Sequence, residues 1–212
     1  MNENNVIAAL FDLDGVVFDT EPQYTLFWKE QNELYKGIKG LEQEIKGQTL
    51  VQIYDKYFKD MPDVQDKITN ALDKFEKNMT FEYIDGFLEF IKDLRLHDVK
   101  TALVTSSNMV KMNAVFERKS DFKQLFDAIL TSEDFEKSKP DPDCYLKGAQ
   151  RLDAEINRCV VFEDSFNGLK SGRAANMKVV GLATTNTENS IKSLCDYVIK
   201  DYKNFDFEKM KL

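Results

Sequence analysis

Short apolar runs rich in β-branched residues recur along this chain, at residues 6–11, 101–105, 128–130, 160–162, 179–182 and 197–199, and their rhythm constrains the fold more than any other feature. Their length and their lack of polar–apolar alternation mark strands buried on both faces. Between them lie segments at 87–96, 110–119, 143–152 and 168–176 in which apolar residues return at helical spacing. Strand–helix alternation of this kind predicts an α/β fold built on a doubly wound, Rossmann-like parallel sheet.

One interval breaks the rhythm. Residues 20–83 separate the first two runs by far more chain than one crossover helix needs. Apolar positions recur there at helical spacing: Leu26, Phe27 and Leu34, then Leu50, Ile53, Tyr54 and Tyr57, then Ile68, Leu72, Phe75 and Met79. They predict a small helical bundle. The expected organisation is a core domain formed by residues 1–19 and 84–212, with an inserted α-helical cap domain at 20–83, which a chain of 212 residues accommodates. Trp28, in register with Phe27, belongs to the core of that cap. The charge-dense stretch at 201–212 is expected to be a solvated tail or a final helix.

A hydrophobic share of 42% beside 31% charged residues excludes a disordered chain. The formal net charge of −8 argues against nucleic acid or an anionic membrane as partner. An anionic ligand would therefore need a bound cation, a lysine or free backbone N–H groups close at hand. Cys144, Cys159 and Cys195 are too few and too widely spaced for a disulfide framework or a cysteine metal site, which fits a reducing cytoplasm. The run at 6–11, ended by Asp12, is too short for a signal peptide or a membrane span. Nothing in the pattern demands an oligomer, and a monomer suffices.

In an open α/β sheet, ligands sit beyond the carboxyl ends of the strands, so the polar residues that follow strands carry the most information. Asp12, Asp14 and Gly15 follow the first run; Thr105, Ser106, Ser107 and Asn108 close the second; Lys139 comes after the third; Glu163 and Asp164 follow the fourth. Taken singly, each has a plain structural explanation. Asp12 to Gly15 could be a turn, Thr105 to Asn108 a helix cap, Lys139 an exposed loop lysine, and Glu163 with Asp164 the acidic start of a helix. An EF-hand is excluded, because the glycine comes too early and a strand-like run precedes the acids. Together the four clusters supply a nucleophile, an acid, a cation site and a clamp for phosphate oxygens on one side of the sheet.

The strings FDLDGVVFDT at 11–20, VTSSN at 104–108, SKPDPDCY at 138–145 and VFEDSFNGLKSG at 161–172 closely resemble, in order, the four motifs of the haloacid dehalogenase superfamily. The place of the insertion is similar to the helical cap of its beta-phosphoglucomutase-like branch. The resemblance implies a Mg²⁺-dependent phosphatase acting on a small phosphorylated metabolite, with Asp12 as nucleophile and Asp14 as acid and base. A dehalogenase would lack the second carboxylate. It further implies Mg²⁺ held by Asp12, Asp164 and the Asp14 main-chain carbonyl, with Glu163 as ligand or just behind. Thr105, the amides near Ser106, and Lys139 would hold phosphoryl oxygens.

On the substrate side the resemblance points to Thr20, Ser106, Asn108, Lys139 and Lys46. Asp19 and Thr20 resemble the hinge into the cap. Lys46 and Gly47, followed by Gln48 and Thr49, resemble a cap segment that contacts substrate in sugar-phosphate mutases. Two departures favour hydrolysis over mutase chemistry: Tyr24 stands where the mutase pattern has histidine, and Leu50 stands near the place of an arginine for a second phosphate. A sugar phosphomutase and a catalytically silent binding protein remain the alternatives. His97, the one histidine, lies at the end of a predicted helix and is expected on the surface.

Overall fold

The computed structural model describes residues 7–46 and 48–211. Val6, Gly47 and Leu212 lie outside the described residues. The first strand, β1 (Ala8–Phe11), is buried along its whole length and ends at Asp12. From there the chain enters α1 (Glu21–Tyr35), α2 (Leu41–Glu44), α3 (Leu50–Ile53), which runs into a π-helical turn at Tyr54–Phe58, and α4 (Pro62–Asn78). It returns beside the place it left: Asp19 N–H donates to the Glu82 carbonyl at 2.9 Å, and Ile84 N–H to the Val17 carbonyl at 2.9 Å.

The remaining elements alternate as expected: α5 (Phe87–Leu96), β2 (Lys100–Val104), α6 (Met109–Arg118), β3 (Ala128–Leu130), α7 (Asp143–Arg151), β4 (Cys159–Glu163), α8 (Phe166–Ala174), β5 (Lys178–Leu182), α9 (Glu188–Ile191), β6 (Tyr197–Ile199) and α10 (Phe207–Met210). The strands form one parallel sheet in the order β3-β2-β1-β4-β5-β6. Strand order reverses between β1 and β4, so their carboxyl ends flank the crevice where such sheets bind ligands. Among the described residues no helix is long and apolar enough to cross a membrane.

Successive strand residues face opposite sides of the sheet, so Leu10 and Phe11 feed two separate cores. The Phe11 ring stacks on Phe162 from β4 at 4.6 Å and meets Phe87 from α5 edge-on at 5.6 Å. Leu10 packs on the other face with Val104, Tyr145, Val161 and Leu169. Each such side chain contributes about 1.5–3 kcal/mol on burial, so the strand that carries Asp12 is pinned from both sides.

A third cluster joins Phe27, Trp28, Leu41, Ile45, Ile53, Phe58 and Ile68 and contains no strand residue. Trp28 is buried there, as expected, whereas Leu26 and Leu34 are 69% and 63% exposed. The buried arc of α1 runs instead through Tyr24, Phe27, Trp28, Gln31, Asn32 and Tyr35, leaving Leu26 opposite and Leu34 at its edge. Asn32 tolerates burial because its amide exchanges two hydrogen bonds with the Ile38 backbone, at 2.7 and 3.0 Å. Met79, also expected among the helices of 20–83, packs with Phe81 into the sheet-face core. The charge-dense end of the chain resolves into α10, with Phe207 and Met210 buried in that same core. His97 is exposed at the end of α5, its ring stacked on Phe207 at 4.2 Å.

Candidate active site

Asp12 extends the line of β1, its N–H bonded to the Phe162 carbonyl at 3.1 Å. Asp164 stands just beyond β4. The turn after Asp12 brings the two together: Gly15 has φ +71°, and a Cβ there would lie 2.1 Å from Asp164 Oδ2. Only glycine tolerates both the dihedral and the approach. Gly168, in the ordinary helical conformation of α8, makes a comparably close approach to Glu163, where a Cβ would collide with the carboxylate.

Lys139, read singly as a loop lysine, is buried and reaches all three acceptors an ammonium can satisfy. Its Nζ donates to Asp12 Oδ1 at 2.7 Å, Glu163 Oε1 at 2.6 Å and the Val104 carbonyl at 3.2 Å. Burial opposes its charge, but Asp12 and Glu163 overturn that effect and hold the ammonium well above its ordinary pKa. Burial also raises the Asp12 carboxyl to about 7, with Lys139 pulling it down and Glu163 and Asp14 pushing it up. Asp164 is raised well above the usual range by burial, then by the charges of Glu163 and Asp12.

Carboxylate oxygens of Asp12, Glu163 and Asp164 all lie within 4.8 Å of one another. Three crowded acids against one ammonium make a donor set that suits a hard divalent cation. The three are not equivalent. Glu163 spends Oε1 on Lys139 and the Tyr145 hydroxyl, and Oε2 on the N–H groups of Asp164 and Ser165 and on Ser165 Oγ. Asp164 Oδ2 accepts from Thr185, while Asp12 Oδ2 and Asp164 Oδ1 have no hydrogen-bond partner among the described residues. Those two oxygens are the ones free to bind a metal, with Glu163 orienting its neighbours from behind.

A cavity of about 370 Å³ opens over this cluster. Thr105, Ser106 and Asn108 line it from the sheet side, and Lys46 lines it from the 20–83 side. Asn108 also caps α6, its Oδ1 accepting from Lys111 N–H at 3.0 Å. Thr20 is fully buried and its hydroxyl donates to Asp14 Oδ1 at 2.6 Å, so it is spent on a protein carboxylate and is not part of the cavity wall.

Two supports escaped the sequence reading. The loop after β5 braces the site through Thr185, through the Asn186 amide on the Asp164 carbonyl at 3.0 Å, and through Thr184 on the Gly15 carbonyl at 2.6 Å. Lys111, third in α6, is 1% exposed and bonds Asp14 and Tyr24. A signal for it existed: Lys111, Met112, Ala114 and Val115 form the buried face of α6, so the lysine stands on an apolar stripe.

This fold and this cluster define the chain's class. It belongs to the haloacid dehalogenase-like hydrolase family, whose model matches residues 9–182. It is 30% identical to the Probable pseudouridine-5'-phosphatase of Saccharomyces cerevisiae, over 82% of this chain and 81% of that protein. It is 29% identical to glycerol-1-phosphate phosphohydrolase 1 of the same yeast, over 93% and 83%. Two Arabidopsis thaliana relatives are longer, the chain spanning 20% of one and 54% of the other. In fold, it superposes with a TM-score of 0.83 on the HAD hydrolase of family IA, variant 3, from Entamoeba histolytica, at 23% identity and 97% coverage of each chain.

Proposed function

We propose that this protein is a phosphoric monoester hydrolase acting on a small phosphorylated metabolite, with Mg²⁺ as cofactor and Asp12 as nucleophile. One observation carries the reading: Asp12, Lys139 and Asp164 converge beneath a single cavity at the carboxyl ends of β1 and β4. The phosphatase names of its yeast relatives support it. The Asp12 carboxylate attacks phosphorus in line and forms an aspartyl-phosphate while the ester bond breaks. Asp14 gives a proton to the leaving oxygen, then accepts one from the water that hydrolyses the acyl phosphate. Lys139, the Thr105 hydroxyl and the amides near Ser106 hold the phosphoryl oxygens as charge builds on them. Asp12, Asp164 and the Asp14 main-chain carbonyl would hold Mg²⁺, which would supply positive charge that offsets the repulsion between carboxylate and phosphate.

Residues 20–83 serve as a cap that shapes the leaving-group side of the cavity. Among the described lining residues, Lys46 is the one cation from that segment, against Glu21, Glu42, Asp73 and Glu76. A wall of that sign does not grip the second phosphate of a bisphosphate, which favours hydrolysis over a mutase cycle. Three free, buried thiols fit a reducing compartment such as the cytoplasm.

The test is phosphate release from a panel of metabolite esters with Mg²⁺ and with EDTA. Wild-type protein should release phosphate only with the metal, and Asp12→Asn should lose at least about 10³-fold of turnover. Full activity in Asp12→Asn would sink the reading.

A further inference from the structure

Asp14 sits in a polar chain that runs away from Asp12 towards the helices of 20–83. Lys111 Nζ bonds Asp14 Oδ1 at 2.6 Å and, with its second proton, Asp14 Oδ2; with its third it bonds the Tyr24 hydroxyl of α1 at 2.6 Å. The Tyr24 hydroxyl in turn donates to Glu76 Oε1 of α4 at 2.7 Å. Thr20 and Ser107 complete the shell of Asp14, at 2.6 and 3.3 Å. The Lys111 ammonium also lies 4.8 Å from the centre of the Tyr24 ring. Lys111 and Glu76 are both buried, Glu76 reaching only the cavity.

We infer that Lys111 is a positioning residue for Asp14, and that Tyr24 and Glu76 aim its ammonium, so that the orientation of the acid-base carboxyl depends on how α1 and α4 are seated over the sheet. The inference rests on the role proposed above for Asp14. An ammonium donating to both oxygens of one carboxylate fixes the tilt of that group more firmly than the two neutral hydroxyls of Thr20 and Ser107, the second at 3.3 Å, do. Its third proton must then find an acceptor, and the phenol of Tyr24 is placed to provide it. A phenol that accepts from an ammonium presents its own proton, and Glu76 receives that proton. With Asp14 in the carboxylate form that acts as base, each donor is matched and the chain has one arrangement. Lys111 keeps its three protons throughout and touches no reacting atom. Its effect is carried entirely by Asp14.

The experiment compares steady-state turnover with the pre-steady-state burst of p-nitrophenolate from p-nitrophenyl phosphate, in the full chain with Mg²⁺. Attack by Asp12 on this ester needs little help from an acid, because p-nitrophenolate leaves without a proton, whereas hydrolysis of the aspartyl-phosphate needs Asp14 as base. Lys111→Met is expected to lower steady-state turnover roughly 30-fold while a burst equal to the enzyme concentration survives at a rate within about threefold of wild type. Phosphoenzyme should accumulate, and Lys111→Arg should recover part of the loss. Tyr24→Phe removes one oxygen only and should show the same pattern at about a threefold to tenfold loss, which keeps the test decisive if Lys111→Met fails to fold. Wild-type turnover in both variants would overturn the inference. So would a folded Lys111→Met, judged by its thermal transition, that loses the burst in step with turnover, because the lysine would then serve attack by Asp12. A phosphoenzyme seen in wild type and lost in Asp12→Asn reads out the hydrolytic mechanism by itself, so its failure is distinguishable from failure of the role given to Lys111.

Discussion

Two buried lysines neutralise two aspartates two residues apart, and they do so by different means. Lys139 is shared between Asp12, Glu163 and a strand carbonyl, all contributed by the sheet and its loops. Lys111 grips Asp14 alone with two of its protons and gives the third to a neutral phenol from α1. The first arrangement is enclosed by the fold that holds Asp12. The second spans the junction between the sheet and the helices of 20–83, and the Asp14 side chain keeps 22% of its exposure. The cation beside Asp12 is held by the sheet and its loops, whereas the cation beside Asp14 is also held by α1, so the rigid scaffold supports the first more directly.

Removing each cation should separate the two clusters most strongly. Lys139→Met strands Asp12 and Glu163 in a buried site and should cost about 3–5 kcal/mol of stability in urea denaturation. Lys111→Met, beside a partly solvated carboxylate with Thr20 still bonded, should cost about 1–3 kcal/mol. Equal losses would erase the contrast.

Gly168→Ala probes the sheet-side cluster without touching a charge. The added Cβ collides with Glu163, whose two oxygens are held by five bonds and cannot yield. A loss of about 1–3 kcal/mol is expected, with turnover falling alongside as Lys139 is displaced. A variant as stable as wild type would show that Glu163 is free to move.

Next in size is the response to pH. Asp12 is raised from its ordinary 3.8 to about 7, so between those values the folded state keeps a proton that the unfolded chain releases. Its contribution to stability therefore declines as pH rises through that window and levels off above about 7. Mg²⁺ must displace that proton, so its affinity should climb with pH by up to about tenfold per unit below 7. Thermal melts with and without Mg²⁺ between about pH 5 and 8 should diverge as pH rises. A constant gap between the two curves would contradict this.

The smallest effect belongs to the outer end of the Lys111 chain. Burial raises the Glu76 carboxyl, opposed by Lys111 and by the Tyr24 hydroxyl bond. Glu76→Gln keeps an oxygen for Tyr24 and should change stability by less than about 1 kcal/mol in the same denaturation assay. A larger loss would mean that the charge of Glu76, not its acceptor, holds Lys111.

The sheet was legible because strands buried on both faces leave an unambiguous apolar record, and β2 through β6 fall within a residue or so of the runs that announced them. The sheet-side cluster was legible for a related reason: Asp12 and Asp164 sit at strand ends, where sequence position and spatial position coincide, and Lys139 lies in the loop that follows β3. The cluster around Lys111 was not, because its members are interior residues of three helices brought together only by packing. A lysine at the third position of α6 looks like a surface residue until the helix is seated. Leu26 and Leu34 failed from the same cause: the face that α1 buries is set by α2 and α4, and its own periodicity cannot choose it.

The third apolar cluster, from Phe27 to Ile68, borrows nothing from any strand. Substitutions that refit those helices to a new leaving group can accumulate without disturbing the packing under Asp12. Selection for a different ester can rewrite most of those helices, with Tyr24 and Glu76, which reach Asp14 through Lys111, as the positions where the two parts stay tied.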